Sequence, residues 1–180
     1  MQDLRSLIIV HLVEERPEGN TFPRKRADWP LHVTLVPWFN VSDDKRELLL
    51  TALQTYAASK QSFGVHVGDE EQFGATKDVP VNLLVEQAPV AQLHNELMAI
   101  VQQYGVQFHN NASAYSGVEQ IYRAHITHHR AADGLHRRFS GDEELFDGIT
   151  VARLLDDNGS QVCEILRNMH FAGGSHEAAA

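Results

Sequence analysis

Histidine, any residue, threonine occurs twice in this chain, as His32-Val33-Thr34 and as His125-Ile126-Thr127. An imidazole exchanges protons near neutral pH, and a hydroxyl beside it can donate a hydrogen bond to an anionic oxygen. Two such pairs in one site would supply a base, an acid and two donors. Cleavage of a phosphodiester needs those groups: one imidazole activates the attacking oxygen, the other protonates the leaving oxygen, and the hydroxyls hold the non-bridging oxygens. The spacing selects the element that must carry them. In a strand, residues i and i+2 share a face, so each histidine and its threonine point the same way. Leu31, Val33 and Leu35 around the first copy, and Ala124 and Ile126 in the second, then point into a core. The reading predicts the two motifs facing each other across one cleft. One bridging phosphate allows roughly 5–8 Å between the imidazoles, with hydrogen bonds near 3 Å on each side. His32 and His125 are the candidate acid–base pair, and Thr34 and Thr127 the candidate phosphate-binding residues; the spacing does not say which histidine is the acid.

A second grouping competes for His125. His125, His128 and His129 lie within "YRAHITHHR" (122–130), with Asp133 and His136 following. On a helix, His125 and His129 would share a face at i, i+4, as zinc ligands do, and a zinc-dependent hydrolase built on residues 125–136 is the rival enzyme reading. Tyr122, Ile126 and Thr127 favour a strand instead. There His125 and His129 share a face with Thr127 between them, too far apart to converge on one ion without a bend, and no second ligand group has metal spacing. No metal and no cofactor are expected. Trp38, Phe39, Tyr122 and His129 are candidates for a substrate rim, and Phe22 and Trp29 also lie near the motifs or on the long loop. An aromatic ring there could stack on a base, as in single-stranded RNA recognition. His11, His66, His94 and His170 read as structural or surface residues, and His109, His136 and His176 as exposed.

Two helices and about seven strands must position these groups. Leu48, Leu49, Ala52, Leu53 and Tyr56 form a helical stripe over 44–58, with Asp44 and Glu47 as an N-terminal capping pair. Val90, Leu93, Leu97, Ile100, Val101 and Tyr104 form another over 89–104, ended by Gly105. Strand-like runs occupy 4–14, 31–36, 62–68, 81–86 and 122–129, and two β-rich runs flank Asn158-Gly159 as a hairpin. Strands and helices do not alternate strictly, so an α+β fold with antiparallel pairs is predicted. A single bilobal domain is expected over 1–172, with a flexible tail over 173–180.

Composition limits the partners. A formal charge of −9 over 180 residues leaves no broad basic surface for duplex nucleic acid. Short anionic ligands remain compatible with local cations in "FPRKR" (22–26) and at Arg130, Arg137 and Arg138. Cys163 is the single cysteine and reads as a buried, inert thiol. The run "LIIVHLV" is too short to span a bilayer, so no membrane association is expected and the cytoplasm is the expected location. Neither a phosphate-binding Gly-Lys-Ser/Thr loop nor a Gly-x-Ser-x-Gly elbow is present.

"HVTLVPWF", "HITHHR" and the opening strand together resemble the two-histidine (2H) phosphoesterase superfamily, in its LigT-like, 2′–5′ RNA ligase-like branch. The resemblance spans roughly residues 4–171. It implies a bilobal α+β fold with two mainly antiparallel sheets, flanking helices and a central cleft. It also implies metal-independent hydrolysis of 2′,3′-cyclic phosphates, or cleavage or ligation of 2′–5′ phosphodiesters. The implied partners are RNA ends or small cyclic or 2′–5′-linked nucleotides, and a monomer is expected. The second motif in that branch commonly reads His-x-Thr-x-x-Arg, which places Arg130 at the arginine position. A module that keeps the cleft and binds nucleotides or RNA without catalysis is the alternative from a different class.

Overall fold

The computed structural model describes residues 4–24, 29–74, 76–77, 79–109, 122–127, 138–157 and 160–173. In chain order they form β1 (Leu4–Leu12), β2 (Thr21–Pro23), β3 (His32–Ser42), α1 (Asp43–Ser59), β4 (Phe63–Phe73), β5 (Val79–Leu84), α2 (Gln87–Gln102), β6 (Gln107–Phe108), β7 (His125–Thr127), β8 (Glu143–Phe146), β9 (Gly148–Asp157) and β10 (Ser160–His170). The strands are ordered β2-β10-β9-β1-β3-β7-β5-β4-β8, with β6 beside β3. Every pairing between these strands is antiparallel. The mainly antiparallel α+β architecture with two helices is the one the sequence predicts. The two expected sheets are hydrogen-bonded into one, and the join is β3 against β7 through Val33 and Ile126.

Both helices cover one face of this sheet. α1 buries Leu49, Leu50, Leu53 and Ala57, and α2 buries Val90, Leu93, His94, Leu97 and Val101. They pack on Val33, Leu35, Phe39 and Ile126, all fully buried. Each large apolar side chain removed from water there contributes roughly 1.5–3 kcal/mol. The α1 stripe is rotated from its expected position: Leu48 is 61% exposed and Leu50 takes its place. Three consecutive leucines leave that choice to tertiary contacts. The expected Asp44–Glu47 cap is also absent. Ser42 is the N-cap, without a side-chain cap bond, and Asp43 pairs with Arg46 at 3.1 Å. Gly105 ends α2 with φ +65°, a conformation that costs glycine no steric strain.

The opposite face carries a second apolar cluster, Ile8, Val10, Leu12, Phe22, Trp29, Ala152, Cys163 and Ile165. Trp29, three residues ahead of central strand β3, packs into the cluster. Burial pushes the Cys163 thiol up to about 11, as an inert thiol requires.

Two irregularities decide which side chains reach this second face. Between Thr34 and Phe39 the β1–β3 register shifts twice, around Pro37, which has no N–H to give to the ladder. The two shifts run in the same sense and add to two residues, an even number, so Trp38 lies on the face of His32 and Thr34. In β4 a single shift after Val67 turns Glu71 and Phe73 to that face. Gly68 sits at this shift, where a Cβ would lie 2.7 Å from the Leu83 carbonyl oxygen. β9 and β10 pair from Asp157 and Ser160 onward. The predicted turn residues Asn158 and Gly159 lie outside the described residues, as do 174–180 of the predicted tail.

Candidate active site

The register Val33↔Ile126 sets His32 opposite Thr127 and Thr34 opposite His125. Val33 and Ile126 are fully buried on the helix side. His32, Thr34, His125 and Thr127 are half-buried on the other side. The four side chains form a block with the histidines on one diagonal and the threonines on the other. Opposed residues in an antiparallel pair have Cβ atoms ~5 Å apart and diagonal neighbours lie ~7–8 Å apart. That diagonal spacing is of the order that one bridging phosphate allows. The sequence predicts motifs on opposing walls of a cleft; the structure makes them neighbours on one face, because β3 and β7 pair directly.

The two histidines have matching surroundings. The Nδ1–H of His32 donates to the Pro30 carbonyl at 2.8 Å, and that of His125 to the Arg123 carbonyl at 2.7 Å. In each case the acceptor is two residues back. Such a bond fixes the ring and makes Nε2 the nitrogen that exchanges protons. Each imidazole also has an aromatic neighbour, Trp29 for His32 and Phe73 for His125, both with ring centroids 4.9 Å away.

Backbone contacts hold the second motif in place. Gln87, the first residue of α2, accepts from the Ala124 N–H at 2.7 Å and donates to the Ala124 carbonyl at 2.9 Å. The Tyr122 hydroxyl donates to the Thr34 carbonyl at 2.8 Å, bridging β7 to β3. Tyr122 stacks on His94 at 4.1 Å, and His94 Nδ1 donates to the Leu35 carbonyl at 2.6 Å. Desolvation holds the His94 imidazole below its ordinary range.

These contacts correct several expectations. Phe39 is a core residue on the helix side, not a rim residue, because it alternates with Trp38. Tyr122 is likewise a brace on the helix side. Trp38 stays half-buried on the histidine face, with Arg24 over its ring at 5.7 Å. His109, expected to be exposed, is half-buried and bonds Asn40 Oδ1 at 2.9 Å; burial, with Arg24 nearby, lowers its proton affinity. His129 and Arg130 lie outside the described residues, as do His128, Asp133 and His136 of the rival zinc grouping. Among the described residues no group of three or more His, Cys, Asp or Glu is placed to hold a metal.

In the sequence Trp29 reads only as an aromatic near the motif, and Phe73 and Arg123 carry no signal at all. Phe73 comes soon after the acidic run "GDEE" (68–71), which reads as a solvated loop but lies within β4, and only the β4 register shift brings Phe73 to His125. Arg123 holds its guanidinium over Phe73 at 5.0 Å and pairs with Glu71 at 3.1 Å. A cavity of about 330 Å³ bordered by His11, Arg138, Glu144 and His170 lies elsewhere. His11 aligns with Val33, which puts it on the helix side, where it bonds the buried Glu144 at 2.7 Å.

No helix among the described residues is long and apolar enough to cross a membrane. A search of curated proteins finds no match. Solved structures do match. LigT of E. coli in complex with 3′-AMP superposes with a TM-score of 0.59 at 18% identity, over 94% of this chain and 99% of that one. TT0787 of Thermus thermophilus gives 0.60 at 17% identity, with the same coverage. A structure described as a phosphoesterase gives 0.59 at 18% identity, again with the same coverage. At these identities the likeness establishes the fold. The profile of the 2′-5′ RNA ligase superfamily matches residues 4–139, both histidine motifs included. By that match the chain belongs to the 2′-5′ RNA ligase superfamily of 2H phosphoesterases.

Proposed function

We propose that this protein is a metal-independent phosphodiesterase acting on RNA-type ends: it hydrolyses 2′,3′-cyclic phosphates or cleaves or joins 2′–5′ linkages. The observation that carries this reading is the block of His32, Thr34, His125 and Thr127, with both imidazoles held through Nδ1 in the same way. LigT of E. coli, a protein of the same fold, has been crystallised with 3′-AMP and with phosphate. In hydrolysis of a cyclic phosphate, one imidazole takes a proton from water as its oxygen attacks phosphorus. The other gives a proton to the ribose oxygen as its bond to phosphorus breaks. The product is a nucleoside monophosphate, and the imidazoles exchange protons with solvent to reset. Thr34 and Thr127 donate to the non-bridging oxygens, where negative charge grows. Arg130, at the family arginine position, is proposed to add charge to the same phosphate.

The test is hydrolysis of the four nucleoside 2′,3′-cyclic phosphates with and without EDTA. Turnover is expected in both conditions, because imidazole, hydroxyl and guanidinium groups together supply proton transfer and charge stabilisation. Activity lost in EDTA and restored by zinc or manganese would contradict the reading.

A further inference from the structure

The block accounts for one phosphate. Beyond it, the same face carries a cation on each side. On the β3 side, ring contacts run from His32 to Trp29 (4.9 Å) and from Trp29 to Trp38 (6.1 Å), and Arg24 lies over Trp38. On the β7 side they run from His125 to Phe73 (4.9 Å), and Arg123 lies over Phe73. We propose that Arg24 and Arg123 read the phosphates flanking the reacting one, so that the substrate is an oligonucleotide with a phosphate on each side of the scissile linkage. This rests on the reading of the histidine block as the reaction centre.

Three observations support the assignment. Among the described residues neither guanidinium is committed to a strong partner. Arg123 is paired with Glu71, but the two side chains are 49% and 45% exposed, and such a pair contributes little against water. The side chain of Arg24 donates to Gln161, which is neutral. Second, each guanidinium lies over an aromatic ring, which restricts its orientation before a ligand arrives. Third, Arg24 lies to one side of the histidine block: its guanidinium sits over Trp38, four residues beyond Thr34 on β3. With a formal charge of −9 on the whole chain, two oriented cations on this face are where an extended anion gains attraction.

The experiment measures binding to His125→Ala protein, where turnover does not interfere. The probes are a 2′–5′-linked diadenylate without terminal phosphates, with a 5′-phosphate, with a 3′-phosphate, and with both. Each terminal phosphate is expected to tighten binding roughly 10-fold, as a new charge-assisted contact would. Arg24→Gln should erase the gain at one end and Arg123→Gln the gain at the other, with the bare dinucleotide unaffected. Circular dichroism of each variant establishes that it is folded. Terminal phosphates without effect, gains that survive both substitutions, or equal weakening of the bare dinucleotide would each overturn the proposal. Turnover of the bare dinucleotide and of the cyclic mononucleotides by the unsubstituted protein tests the reaction centre separately. Binding gains without turnover would keep the arginine sites and remove the catalytic assignment; turnover without binding gains would do the reverse.

Discussion

In the proposed mechanism Thr34 and Thr127 supply hydrogen bonds whereas the histidines beside them move protons, and the two roles carry different costs. Thr34→Ala or Thr127→Ala removes one hydrogen bond to a charged oxygen, about 1.5–3 kcal/mol, so kcat/KM should fall roughly 10- to 150-fold. Steady-state kinetics on a cyclic mononucleotide checks this, and an unchanged kcat/KM would remove the threonines from the phosphate. At this scale the sequence is informative where alternation alone decides. His32 and Thr34 share a face because they are two residues apart in a strand, and the same holds for His125 and Thr127. Trp38 and Phe39 take opposite faces by alternation, but the double register shift around Pro37, which settles which of them joins His32, depends on the partner strand. Arg24, Phe73 and Arg123 depend on pairings between segments far apart in the chain, which one sequence does not display.

Both helices are legible from their apolar period, and their mutual attachment is not. Tyr56 on α1 and Lys60, just past its end, meet Glu96 on α2, which also receives a hydrogen bond from Gln92; Lys60 Nζ lies 2.8 Å from the carboxylate. Burial pushes the Glu96 carboxyl upward, but these hydrogen bonds and the Lys60 charge outweigh it and hold the group at about 2. A carboxyl depressed on folding stabilises the protein above its unfolded value, 4.5 here, and loses that contribution as pH falls toward 2. At a site about a third exposed, solvent screening reduces the effect to the order of 1 kcal/mol. Glu96→Gln should flatten the decline of stability between pH 4.5 and 2, read by urea denaturation. An identical decline in the variant would show that the tie does not hold the helices. Gly68 permits a different element to form. Gly68→Ala would set a Cβ against the Leu83 carbonyl, costing about 1–3 kcal/mol as an overpacked site does. The same change disturbs the register shift that brings Phe73 to His125, so a fall in kcat should accompany the fall in urea midpoint. A midpoint equal to that of the unsubstituted protein would contradict the close approach.

Across the whole molecule, β3 with β1 outside it and β7 with β5 outside it meet at the sheet centre, each contributing one histidine and one threonine. The fold class is legible because the strands and helices do not alternate strictly. The join is not, because it rests on the pairing of Val33 with Ile126, residues far apart in the chain. In the proposed mechanism the two histidines, one from each side of that join, act in one step. The direct test measures turnover and folded fraction on the same samples of His32→Ala, His125→Ala and the double variant, with a nucleoside 2′,3′-cyclic phosphate. Each single change should lower kcat by on the order of 10²–10⁴-fold per folded molecule. The double variant should be little worse than the worse single one, because groups acting in one step are not additive. Folded His125→Ala protein that turns over substrate at the unsubstituted rate would contradict the account.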